Sequence, residues 1–178
     1  MPDPYIFPNC PDYCCKVVVQ AQLSLLKALE SIEKRTQKHP WNAQTLSGCF
    51  DKSYKVIVLY EKEISRGFAV ILNTKISTDL LSIGVEPLCQ GKGLGRFLLR
   101  CTLQEAEAGG AGECFLEVRV SNERAISLYR SFEFEIAGIR KNYYPPVCGY
   151  PAEDAYTMHL ENIRAGLGHE QEYSGCSQ

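Results

Sequence analysis

The sequence lacks most of what marks a membrane, secreted or nucleic-acid-binding chain. No stretch approaches the ~20 consecutive apolar residues needed to cross a bilayer, so no membrane partner is expected. The opening residues, Met-Pro-Asp-Pro-Tyr, show no basic segment followed by an apolar one, which excludes a secretory signal there. Positive charge is not in excess: 19 Lys and Arg stand against 21 Asp and Glu, for a formal charge of -2. A direct nucleic-acid partner would need a basic balance. No C-x-x-C pair occurs, and no internal repeat. The nine cysteines are odd in number and scattered, and several, such as Cys101 and Cys114, sit inside apolar runs as small hydrophobes. A reduced, cytoplasmic chain is the simplest expectation. Cys10, Cys14 and Cys15 gather in one place, but no His or Cys completes a zinc spacing, and no metal is expected.

What is present fits one globular domain. The chain has 178 residues, 45% of them apolar and 22% charged. A chain near this length removes roughly 70% of its unfolded surface from water. Residues 1–13 carry prolines and little pattern, and are expected to form a loose arm; 14–162 form the domain; 163–178, rich in Gly, Ser, Gln and Glu, read as a disordered tail. Within the domain, β-branched and apolar runs at 15–19, 55–60, 67–72 and 80–85 predict strands, the second and third joined by the charged connector 61–66. Leu81, Ile83 and Val85 alternate onto one face. Leu25, Leu26, Leu29 and Ile32 predict an amphipathic helix over 21–36, which His39-Pro40-Trp41 ends, and a short helix follows over 42–50. Leu94, Phe97, Leu98 and Cys101 place a second amphipathic helix over 94–108, stopped by Gly109-Gly110. Residues 114–120 alternate, with Cys114, Leu116, Val118 and Val120 on one side and Phe115, Glu117 and Arg119 on the other. Asn122 can cap a helix faced by Ala125, Leu128, Tyr129 and Phe132. Strands follow at 134–140 and 155–160, around a Pro- and Tyr-rich loop at 142–152. The order predicts an α/β (α+β) fold, a mixed central sheet with helices on its faces.

Gln90-Gly91-Lys92-Gly93-Leu94-Gly95-Arg96 follows a strand and opens a helix. Glycines let backbone approach a phosphate, and the N–H groups of a helix start attract negative charge, with Lys92 and Arg96 adding cations. A plain turn is the alternative. The segment lacks the terminal G-K-[ST] of a P-loop and the earlier glycine of G-x-G-x-x-G.

Q-x-x-G-x-G at the start of an amphipathic helix resembles the pyrophosphate-binding signature of the GNAT acetyltransferases. The likeness widens through Ile83-Gly84-Val85-Glu86-Pro87, His39-Pro40-Trp41, the string Leu116-Glu117-Val118-Arg119-Val120-Ser121-Asn122-Glu123-Arg124-Ala125-Ile126-Ser127-Leu128-Tyr129, Phe134, and Arg140-Lys141-Asn142-Tyr143-Tyr144-Pro145. These segments, spread over 15–161, are similar to the RimI-type branch, which acetylates the N-terminal alanine of small-subunit ribosomal protein eighteen. One position departs: the family has Gly after the Tyr129 helix where this chain has Glu133, and a left-handed turn there would cost a non-Gly residue on the order of 1 kcal/mol.

The resemblance implies a GNAT fold with splayed parallel central strands, acetyl-CoA as cosubstrate without metal, and a protein N-terminus, ribosomal in this branch, as acceptor. Ile83, Gly84 and Val85 would then face the pantetheine arm as an open strand edge, and the segment Gln90 to Arg96 would hold the pyrophosphate. Glu117 would take the amine's proton, directly or through water, and Tyr129 would return one to the thiolate. Asn122 would contact acetyl-CoA as well as cap its helix. Trp41, Tyr143 and Tyr144 would wall the peptide groove. Without the resemblance, Glu117 is a solvated strand glutamate paired with Arg119, Tyr129 a core residue, and the three aromatics packing under loops. Acetylation of a lysine or a broad set of acceptors, and a non-catalytic acyl-CoA-binding module, remain the alternative functions.

Overall fold

Val-Ile-Val-Leu, after Lys55, is apolar without interruption, the pattern of a strand covered on both faces. The computed structural model, which describes residues 4–8, 10–147, 149 and 151–168, buries Val56, Ile57, Val58 and Leu59 fully. They lie in β3 (Tyr54–Glu61), inside an eight-stranded sheet. The other strands are β1 (Tyr5–Ile6), β2 (Tyr13–Val18), β4 (Ile64–Asn73), β5 (Ser77–Val85), β6 (Glu113–Arg119), β7 (Glu135–Tyr144) and β8 (Glu153–Leu160), in the order β1-β2-β3-β4-β5-β6-β8-β7. All neighbours are antiparallel except β5 and β6.

Alternation sorts the strand side chains onto two helical layers. Val56, Val58, Phe68 and Val70 meet Leu29 and Ile32 of α1 (Leu23–Thr36) and Leu46 of α2 (Ala43–Gly48). Ile57, Leu59, Ala69 and Ile71 meet Leu94, Phe97, Leu98 and Cys101 of α3 (Leu94–Ala108), with Ile126 and Tyr129 of α4 (Glu123–Arg130). Each such large side chain contributes about 1.5–3 kcal/mol on burial. Among the described residues no helix is long and apolar enough to cross a membrane.

Four expectations need correction. The arm before residue 14 is tied down: β1 pairs with β2, Phe7 is buried against Phe97 with ring centroids 5.1 Å apart, and Tyr5 Oη donates to Glu105 Oε1 at 2.9 Å. Pairing and aromatic burial outweigh the prolines. The connector after β3 is a two-residue turn, Lys62-Glu63, because pairing continues through Tyr60↔Ser65 and Glu61↔Ile64. Tyr143 and Tyr144 belong to the end of β7 rather than to a loop, past a register shift between Arg140 and Tyr144 where Asn142 takes a φ of 51°. The tail begins with a helix, α5 (Ile163–Gly168): Asn162 Oδ1 caps it by accepting from Ala165 N at 3.2 Å, and Ile163 is fully buried with its N–H on Gly112 O. The expected tail over 169–178 lies outside the described residues.

Glu133 does take the left-handed conformation, with φ 67°, and Phe134 N still donates to Tyr129 O at 3.2 Å. The turn that suits glycine is therefore made with a glutamate.

Candidate active site

The parallel strands β5 and β6 stay together only from Ser77↔Glu113 to Leu80↔Leu116 and then part. The separation begins at a bulge in β5. Val70 of β4 faces Ser82 while Ile71 faces Leu80, so Leu81 is the extra residue. The bulge turns Leu80 into the α3 layer beside Ile83 and Val85. Leu81, expected on the face of Ile83 and Val85, is instead 38% exposed, since one added residue inverts the alternation. Past the bulge, carbonyls of β5 accept from side chains instead of a strand: Ile83 O from Gln37 Nε2 at 3.2 Å and Val85 O from Gln90 Nε2 at 2.8 Å.

The gap is a cleft of about 570 Å³. Its floor is β5 from Leu80 to Val85, and one bank is Glu117, Val118 and Arg119 of β6 with Asn122, Arg124, Ala125, Leu128 and Tyr129. Gln90, Gly91, Gly93, Gly95 and Arg96 line it at the start of α3, and His39, Trp41 and Tyr144 complete the lining. Gly91 and Gly93 have φ near 80°, with Gly93 as the N-cap of α3, so this helix start depends on the left-handed conformation that glycine tolerates. Arg124 Nη1 donates to Gln90 Oε1 at 2.7 Å, which braces α4 against the glycine turn. Arg96 Nη1 donates to Ser131 Oγ at 2.6 Å, with its guanidinium over the Phe132 ring.

Thirteen of the sixteen site residues expected from the sequence therefore border one cleft, and three do not: Lys92 is exposed outside it, the side chain of Leu94 is core, and Tyr143 is 38% exposed with Arg140 over its ring. Asn122 caps α4, accepting from Ala125 N at 3.2 Å. Glu117 pairs with Arg140, Oε1 to Nη1 at 2.8 Å, and not with Arg119. Its charge reaches Asp79, whose carboxyl is pushed up first by burial and then by Glu117. Tyr129 is buried with its ring against Phe134, and among the described residues its hydroxyl has no hydrogen-bond partner. Burial raises its pKa, so it stays a phenol through the neutral range.

Tyr144 is clamped. The Arg119 guanidinium lies 3.8 Å from its ring centroid, His39 stacks on it from the loop after α1, and its hydroxyl donates to Glu117 O at 3.5 Å. Burial pushes its pKa up to about 12, with Arg119 opposing. Arg119 is in turn held by Glu153 at 2.9 Å. Burial alone would raise the Glu153 carboxyl, but bonds from Ser121 and Arg119 outweigh it and hold it at about 2. Lys38, next to His39, reaches the same carboxylate at 3.6 Å.

Sequence reasoning missed Glu33, Gln37, His39 and Arg124 in the cleft lining. Glu33 left a signal: it lies four residues after Leu29, a carboxylate on the apolar stripe of an amphipathic helix.

A splayed parallel pair, a glycine-capped helix start at its mouth, and a carboxylate and a buried phenol in its bank thus share one cleft, the arrangement expected of an acyltransferase. The model of the Acetyltransferase (GNAT) family matches residues 25–134. The chain belongs to this family, whose members take the acetyl group from acetyl-CoA. It is 38% identical over 135 residues, 76% of its length, to the [Ribosomal protein bS18]-alanine N-acetyltransferase of Salmonella typhimurium, of which it covers 90%. It is 46% identical over 84 residues to the N-alpha-acetyltransferase RimI of Mycobacterium tuberculosis, covering 47% of this chain and 49% of that one. The crystal structure of the ribosomal-protein-S18-alanine N-acetyltransferase from Escherichia coli superposes with a TM-score of 0.72 at 35% identity, covering 82% of this chain and 92% of that one.

Proposed function

We propose that this chain acetylates the α-amine at a protein N-terminus, and that its acceptor is the alanine of the small-subunit ribosomal protein for which its relatives are named. The observation that carries the reading is one cleft holding a carboxylate, a buried phenol, a glycine-capped helix start and an aromatic wall. The residues suit acetyl-CoA. The first N–H groups of α3, with Arg96 and Arg124 beside them, favour a pyrophosphate. The stretch Ile83 to Val85, which has lost its β6 partner, offers backbone groups to an extended arm. Acetyl-CoA, when bound, supplies an acetyl group activated as a thioester.

The chain's own groups do the rest. An α-amine has a reference pKa near 7.7–8.0 and arrives largely protonated, so nucleophilic attack first requires loss of a proton. Glu117 takes it, directly or through one water, while Arg140 keeps the carboxylate aimed. A backbone N–H of β5 polarises the acetyl carbonyl. Tyr129, kept protonated by burial, gives its proton to the departing sulfur. Trp41 and Tyr144 hold the first residues of the acceptor.

The test is turnover with radiolabelled acetyl-CoA on two peptides: one beginning with a free alanine, the other with a blocked N-terminus and a free lysine. Lysine, with a reference pKa near 10.4, is harder to deprotonate by roughly 3 kcal/mol. Label is expected on the free α-amine. Label on lysine alone, or acetyl-CoA binding without turnover on either peptide, would overturn the reading.

A further inference from the structure

Glu33 lines the cleft yet has no part in the chemistry above. Its residue is 1% exposed. Burying a carboxylate without a cation disfavours its charged form. Among the described residues no lysine, arginine or histidine pairs with it, and its hydrogen bonds are two long ones from neutral donors: Trp41 N to Oε1 at 3.4 Å and Ser82 Oγ to Oε2 at 3.2 Å. Burial pushes the carboxyl up and the two bonds oppose this. At the C-cap of α2 the facing titratable group is Cys49, whose thiol is raised by burial first and then by Glu33.

The two donors belong to different walls. Trp41 lies in the segment after α1, and Ser82 is the first β5 residue past the bulge. The same turn of α1 is moored further along β5, through Gln37 on Ile83 O and Thr36 on Gly84. A Cβ on Gly84 would sit 2.7 Å from Thr36 Oγ1, so this close approach requires glycine. We infer that Glu33 is a positioning residue of the acceptor site, tying the Trp41 wall to the stretch of β5 that has lost its strand partner, and so setting the grip on the acceptor. The inference rests on Trp41 being a wall of that site.

A carboxylate held for this purpose weakens the fold at neutral pH. Its folded pKa lies above the unfolded value, so the stability it confers is full below the unfolded value and is lost as pH rises through the folded one. Glu33→Gln should therefore melt at or above wild type at pH 8, an advantage that vanishes toward about pH 4. Glu33→Ala cuts the tie. Trp41 is the sole tryptophan of the chain, so intrinsic fluorescence reads its segment directly. In that variant the emission should shift to the red, acrylamide quenching should increase, and the peptide KM should rise about tenfold, the loss of one bond to a charged acceptor, with acetyl-CoA affinity retained. If Glu33→Ala does not fold, the same emission and KM are read on Glu33→Gln, with a smaller shift in the same direction expected. Failure of the wild type on every peptide would sink the proposed function and leave the Trp41 fluorescence to decide on Glu33. Wild-type quenching and KM, or a Glu33→Gln protein that melts lower at pH 8, would overturn the inference.

Discussion

Where β5 and β6 still pair, their polar and apolar groups are satisfied by the fold itself: Leu80, Cys114 and Leu116 are buried in the core, and Thr78 Oγ1 donates to Leu72 O at 3.2 Å. A few residues further on the same strands behave differently. Carbonyls of β5 rely on two glutamine side chains, and among the described residues the hydroxyl of Tyr129, in the cleft lining, has no hydrogen-bond partner and the buried Glu33 has no cation. The closed end is arranged for stability. The open end holds groups that find no such partner among the described residues, which is what a site preorganised for ligands requires.

Substitutions at the two ends should therefore separate activity from stability. The largest kinetic effect is expected from Tyr129→Phe at the open end. Loss of a general acid should lower kcat by about 10²–10⁴-fold. The melting temperature should hardly move, because the hydroxyl makes no hydrogen bond among the described residues. A folded variant with full kcat would make Tyr129 a packing residue and erase the contrast. Leu116→Ala at the closed end should do the reverse. A cavity at this buried site should cost about 2–5 kcal/mol in denaturant unfolding, with kcat largely kept in the fraction that stays folded. A selective loss of kcat without loss of stability would show that the two ends are not distinct. The smallest effect lies outside both. Glu133→Gly relieves a left-handed φ of 67° and should raise stability by up to about 1 kcal/mol, with unchanged kinetics. A destabilised variant would mean that contacts of the Glu133 side chain outweigh its backbone strain.

Much of this was legible in the sequence because it is local. The bounds expected for α3 are those observed, since its apolar stripe, glycine start and Gly109-Gly110 stop all lie within it. The glycine turn and the Leu116–Tyr129 string delivered most of the cleft lining. What escaped depends on partners far along the chain. The bulge at Leu81 exists only relative to β4, and β1 only relative to β2. Tyr143 and Tyr144 become strand through β8 despite the following Pro145. The Arg140 partner of Glu117 is 23 residues away, so the nearer Arg119 looked the better candidate. The cap at Asn162 was readable and was outweighed by the polar composition after it.

If the open end removes the acceptor's proton through Glu117, the pH dependence of kcat/KM in wild type and Glu117→Gln will show it. With the carboxylate present, kcat/KM should rise through an apparent pKa and level off. In the variant, which keeps size and hydrogen bonding, kcat should fall by about 10²–10⁴-fold. Its activity should keep climbing with pH as the amine loses its proton unaided, while acetyl-CoA affinity stays close to wild type. A Glu117→Gln enzyme with wild-type kcat and an unaltered profile would mean that Glu117 is not the base.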